Sequence, residues 1–190
     1  MKYDIILSGV GGQGVLSLAA IIATGAMKEG LHVKQAEVHG MAQRGGAVVS
    51  NLRLSDKAIQ SDLILEGTAS LILSMEPLES LRYLKYLSKD GTLVTSTDPF
   101  VNIPDYPDLN TLLKDIKSIP NAVLVDSKKL ALEAGNAKAT NTVMLGAVSS
   151  LLPMKPETLR EVIGKMFKRK GEQVVELNML AFDKGREVSK

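Results

Sequence analysis

The chain has no cysteine and no tryptophan among its 190 residues, and only two histidines, His32 and His39. Without cysteine it can form no disulfide, offer no thiolate nucleophile and hold no iron–sulfur cluster through its own thiolates. Two histidines are too few for a histidine-rich metal site, and no metal ligand set is expected. Strong charge of either sign is also missing. The 23 basic and 21 acidic residues leave a formal charge of +2, which argues against a general nucleic-acid binder. The 45% of apolar residues is mostly Leu, Val, Ile, Ala and Met. It is enough to fill the core of one compact domain spanning 1–190. The lack of cysteine fits a reducing compartment, and a cytoplasmic location is expected.

A membrane segment is the first alternative to weigh. Residues 5–27 carry no charge, and Lys2 lies just before them. The glycines speak against a spanning helix or a signal peptide. Gly9, Gly11, Gly12 and Gly14 would each cost a helix roughly 1 kcal/mol relative to alanine. The better parse is a strand (Lys2–Ser8), a glycine turn (Gly9–Gly14) and a helix (Val15–Glu29) closed by Gly30.

Strands and helices then alternate. HVKQAEVHG reads as a second strand, MAQRGG as a loop and AVVSNLRLS as a further strand. DLILEG reads as a short buried strand. EPLESLRYLKYLSKDG places Leu78, Leu81, Leu84 and Leu87 on one helical stripe. TLVTST and NAVLVD read as strands. Between them lie a proline-rich loop, DPFVNIPDYPD, and a helix, LNTLLKDIKSI. From about residue 127 onward every segment reads as helix, with Pro156 suited to a helix start. The expected fold is α/β: a mainly parallel, Rossmann-like sheet with helices on both faces and a helical C-terminal part.

Four motifs stand out. Gly9-Val-Gly11-Gly12-Gln13-Gly14 fits G-x-G-x-x-G between a strand and a helix. Glycine allows positive φ and leaves no Cβ to obstruct a ligand, and the helix that follows offers unpaired N–H groups to a phosphate. Tight strand–helix packing would use the same residues, and the sequence leaves both readings open. Glu37, 23 residues after Gly14, could serve a ribose hydroxyl in a dinucleotide fold. The stretch that follows does not look like a ribose-binding strand end, however. It is a loop carrying His39, Gln43, Arg44, Gly45 and Gly46, where the arginine can offer a planar fork of donors to a carboxylate or phosphate. A solvated turn arginine is the plain alternative. In TNTVMLGAV, Thr140 or Asn141 can cap a helix, and Gly146 is expected to permit close packing. KMFKRKGE reads as a basic complement to a helix C-terminus. No Ser-His-Asp order, paired carboxylate motif or Walker lysine stands out, so no catalytic residue is assigned.

GVGGQGVLSLAAIIA followed by AEVHGMAQRGGAVVSNLRL, with TNTVMLGAV behind them, resembles the gamma-type domain of the 2-oxoacid:ferredoxin oxidoreductases. Within that family the likeness is to the small (beta) subunits of the indolepyruvate type, and it spans nearly the whole chain. The resemblance implies a complex that oxidatively decarboxylates a 2-oxoacid, here an arylpyruvate, to an acyl-CoA and reduces ferredoxin. It places thiamine diphosphate and the iron–sulfur clusters in a large, cysteine-rich partner subunit, and makes the isolated chain inactive. It also gives the glycine turn a candidate ligand: the phosphate-bearing part of coenzyme A, or a partner segment near the thiamine site. A stand-alone Rossmann-type nucleotide-binding oxidoreductase is the other function class.

Overall fold

A computed structural model describes residues 1–39 and 45–188, with His39 described by its backbone alone. One six-stranded sheet organises the chain, in the order β2-β3-β1-β4-β5-β6. The strands are β1 (Lys2–Val10), β2 (His32–His39), β3 (Ala47–Ser55), β4 (Ala69–Ser74), β5 (Leu87–Ser96) and β6 (Ala122–Val125). β1, β4, β5 and β6 pair in parallel, while β3 is antiparallel to both β1 and β2. All strands but β3 therefore run the same way, and the sheet is mixed through that single reversal. β1 is central, with β3 and β4 on its two sides, which is why its uncharged run from Ile5 to Val10 is buried on both faces.

Among the described residues seven α-helices cover the sheet: α1 (Val15–Lys28), α2 (Pro77–Arg82), α3 (Leu109–Lys117), α4 (Ser127–Glu133), α5 (Thr140–Val148), α6 (Pro156–Phe167) and α7 (Glu172–Val188). Alternate residues of the strands feed two cores, as the period-2 pleat dictates. On one face Ile5, Leu7, Leu71 and Leu73 pack with Leu18, Ile22, Val143, Leu159 and Phe182 from the larger helical layer. On the other, Ile6, Ile72 and Leu93 meet Leu112 and Ile116 of α3 and the Leu78 and Leu81 side chains of α2.

Gly30 closes α1 as its sequence suggests. At φ +81° it lets its own N–H reach Met27 O and the Leu31 N–H reach Ala26 O, the Schellman arrangement. Pro156 occupies the first turn of α6. The cap of α5 is different from the expectation. Ala139 is its N-cap without any side-chain bond, and Asn141 Oδ1 instead accepts from the adjacent Thr142 N–H at 2.9 Å.

Two elements differ from the sequence reading. DLILEG is not a strand. Arg53 Nη1 donates to the carbonyls of Ser61 and Leu63, both at 2.9 Å, and this takes acceptors that a sheet ladder would need. Only Ile64 of the segment enters the core. The strand is the next segment, ASLILS. The long amphipathic helix also breaks up: α2 ends at Arg82, a 3-10 turn covers Leu84–Tyr86, and β5 already begins at Leu87. Leu87 thus leaves the helical stripe and joins the sheet beside Ala69.

Candidate functional site

β1 delivers the glycine turn to the carboxyl end of the sheet, beside the start of α1. Gly12 and Gly14 sit at φ +105° and +83°, the left-handed region that an L side chain avoids at a cost of roughly 1–2 kcal/mol. Gly14 is the N-cap of α1, no side chain caps the helix, and no acidic residue stands in its first turn. Among the described residues no side chain is recorded accepting from the first N–H groups of this 14-residue helix, which is the electrostatic setting for an anion. A Cβ on Gly12 would meet nothing within 4 Å. Gly9 differs: a Cβ there would lie 2.9 Å from both Gln13 Oε1 and Val15 Cγ2, so Gly9 serves packing.

The second motif comes to the same place. Gly11 N–H donates to Gly46 O at 2.8 Å, and Gly45 N–H to Gly11 O at 3.3 Å. These bonds continue the β1–β3 ladder one step beyond the Val10–Ala47 pair. Antiparallel pairing of β3 with β1 is what brings Gly45 and Gly46 onto the glycine turn. Gln43 and Arg44 lie outside the described residues, as does the His39 side chain.

Gln13 braces the turn. Its Oε1 accepts from Val10 N–H at 2.8 Å and its Nε2 donates to Met75 O at 3.2 Å. The amide thus ties the turn to the ends of β1 and β4. Beyond it, a cavity of about 140 Å³ opens at the carboxyl ends of the parallel strands, lined among others by Gln13, Ser96, Asp98, Ser127 and Lys128. Asp98 Oδ2 accepts from Ser96 Oγ (2.9 Å), Ser127 Oγ (3.0 Å) and Lys128 N–H (2.8 Å). Sequence reading passed over Asp98. Its signal was an acid directly following the strand TLVTST, at the edge where α/β sheets bind ligands. A larger cleft of about 630 Å³ lies on the other side of the α1 start, between Ser17, Asn141, Lys138, Lys170, Phe167 and Leu177. Lys170 Nζ sits 5.3 Å from the centre of the Phe167 ring, so part of the KMFKRKGE stretch lines this cleft. Lys165, in the last turn of α6, pairs instead with Glu161.

Glu37 is badly placed for a ribose. Its strand, β2, is separated from β1 by β3, whereas a dinucleotide fold needs that acid on the strand next to the glycine turn. The NAD-type reading therefore fails on strand order. Among the described residues no group of three or more His, Asp or Glu side chains is placed to hold a metal ion, and no helix is long and apolar enough to cross a membrane.

A family model described as pyruvate ferredoxin/flavodoxin oxidoreductase matches residues 4–188. The chain belongs to that family. It is 37% identical to the indolepyruvate oxidoreductase subunit IorB of Pyrococcus horikoshii, over all of this chain and 96% of the relative. Among solved structures, it superimposes on a keto/oxoacid ferredoxin oxidoreductase gamma subunit from Geobacter sulfurreducens with a TM-score of 0.71 and 26% identity, covering 98% of each chain. The same fold makes up 31% of a longer chain in the 2-oxoglutarate:ferredoxin oxidoreductase of Magnetococcus marinus, whose structure holds 2-oxoglutarate, coenzyme A and succinyl-CoA. There 99% of this chain is covered, with a TM-score of 0.79 and 25% identity. The relatives are subunits or domains of 2-oxoacid oxidoreductases, and the stand-alone enzyme reading gives way to that of a subunit working in a complex.

Proposed function

We propose that this chain is the small subunit of an arylpyruvate-type 2-oxoacid ferredoxin oxidoreductase, and that its glycine turn seats the phosphate-bearing part of coenzyme A. The observation that carries the reading is the junction of Gly11 with Gly45 and Gly46 beside an uncapped helix start. It joins two glycine motifs at one end of the sheet, beside a helix start with no acidic residue in its first turn, and Arg44 stands next in sequence to the paired glycines. Lys138 and Lys170 add cations near the same helix start.

In the complex the 2-oxoacid loses carbon dioxide and two electrons, the electrons pass to ferredoxin, and coenzyme A takes the acyl group. Thiamine diphosphate would stabilise the carbanion left by decarboxylation. The family resemblance puts it, with the iron–sulfur clusters, in a large cysteine-rich partner subunit, and the absence of cysteine from this chain agrees with that division. What this chain's residues do is bind and orient: the α1 N–H groups and Arg44 hold an anionic group so that the thiol end of the carrier reaches the partner's centre. No nucleic acid or membrane takes part, and the complex works in the cytoplasm.

The test is reconstitution with the large subunit. The isolated chain reduces no acceptor. In the complex, Arg44→Ala removes a charge-assisted bond worth roughly 1.5–3 kcal/mol, or about ten- to a hundredfold in affinity for coenzyme A. Arg44→Lys restores the charge without the planar fork and rescues only in part. Weakened subunit assembly with an unchanged coenzyme A requirement would instead make the junction a partner contact and defeat the ligand reading.

A further inference from the structure

The proline-rich segment 98–108 is an exposed loop, yet it is pinned along its whole length. At one end the Asp98 carboxylate takes the three donors described above. At the other, Asp108 Oδ1 accepts from Thr111 N–H and Thr111 Oγ1, both at 2.9 Å, and caps α3. Its middle is tied to Glu76, a carboxylate only 1% exposed. Glu76 Oε1 accepts from Phe100 N–H at 3.3 Å and from the Tyr106 hydroxyl, while Oε2 accepts from Glu79 N–H at 2.8 Å and caps α2. Burial and the Glu76 carboxylate push the Tyr106 hydroxyl well above its ordinary pKa, so it remains a donor. Burying a carboxylate is costly unless its lone pairs are used. Here they are spent on holding a loop whose own Phe100 and Val101 lie 40% and 68% exposed and add little to the core.

What the loop does from that position is reach the glycine junction. Asn102 Nδ2 donates to Gly45 O at 2.7 Å, on the residue whose N–H bonds Gly11 O. Gly45 has φ +79° and nothing within 4 Å of where a Cβ would be, so packing does not fix it. We infer that Asn102 is a positioning residue for the Gly45–Gly46 side of the coenzyme A seat, held in register by Glu76 and Tyr106. The inference rests on the coenzyme A reading given above.

The experiment uses the reconstituted two-subunit complex and measures the KM for coenzyme A, kcat, subunit affinity and melting temperature. Asn102→Ala loses one neutral hydrogen bond and is expected to raise the coenzyme A KM about three- to tenfold, with kcat and assembly within about twofold of the parent. Asn102→Gln, which keeps the amide donor, recovers part of that loss. Tyr106→Phe raises the same KM, but adds nothing to it in the Asn102→Ala background, because both act through one contact. A merely structural role would lower the melting temperature equally in both backgrounds and leave the KM alone, and this overturns the inference. Arg44→Ala separates the two levels. If Arg44→Ala raises the KM and Asn102→Ala does not, the positioning role fails while the seat stands. If neither raises it, the coenzyme A seat fails and the positioning role with it.

Discussion

At the crossing of α5 and α7 a Cβ on Gly146 would lie 2.1 Å from Phe182 O, and one on Gly185 would lie 2.0 Å from Val143 O. At the sheet's carboxyl end a Cβ on Gly12 would meet nothing within 4 Å. The chain thus uses glycine in two opposed ways. At the crossing two helix backbones touch, and the missing side chain is filled by protein. At the turn no described residue fills it, while the backbone is held in a conformation that L residues avoid. Close packing explains the first pair completely. At the turn the positive φ alone already requires glycine, and the proposed seat adds the demand that the space beside it stay open.

The comparison predicts its largest effect at the crossing. Gly146→Ala gains about 1 kcal/mol of helix propensity, but forces two backbones apart and should destabilise by about 2 kcal/mol or more net. The melting temperature should then fall by at least roughly 4 °C. Coenzyme A kinetics of the assembled complex should hardly change. A neutral Gly146→Ala would show that the α5–α7 contact is looser than described and would weaken the contrast.

The packing role of Gly146, the helix stop at Gly30 and the strand–helix alternation were legible because all three are local signals, whereas Gly185 was passed over and Gly9 was grouped with the ligand turn. Gly30 announces the end of α1 by its position, and Gly146 sits in an apolar stretch with no turn residue around it. What could not be read was set by distant partners. The reversal of β3 depends on which strand accepts it as a neighbour. DLILEG has a strand's composition, but Arg53 of β3 captures the carbonyl of Leu63 within it and that of Ser61 just before it. Leu87 continues a helical leucine spacing and is nevertheless taken by the sheet. At the site, the glycines were legible as a motif, whereas the meeting of Gly11 with Gly45 and Gly46 requires the pairing of β3 with β1. Asn102 carried no signal, since an asparagine in a proline-rich loop has many plain uses.

Gly14 stands between the two kinds of glycine and sharpens the distinction. Its φ of +83° carries the backbone penalty, and a Cβ would also lie 2.9 Å from Asn141 Nδ2, the far end of a side chain that can swing aside. Gly14→Ala should cost about 1–2 kcal/mol, mostly from the backbone. Adding Asn141→Ala should restore only the small steric part. Full recovery in the double variant would mean that crowding rather than conformation sets the cost.

Gly12 and Gly30 give the most direct comparison, since they sit at opposite ends of α1 with φ +105° and +81°, each with open space where a Cβ would go. Gly12→Ala and Gly30→Ala should therefore lower stability by similar amounts, about 1–2 kcal/mol each. Only Gly12 lies at the proposed seat. The deciding measurement is the coenzyme A KM of the reconstituted complex carrying each variant, read beside its melting temperature. A several-fold rise for Gly12→Ala alone, at matched loss of stability, is the predicted result. Equal values for the two variants would contradict the account and return the glycine turn to the scaffold.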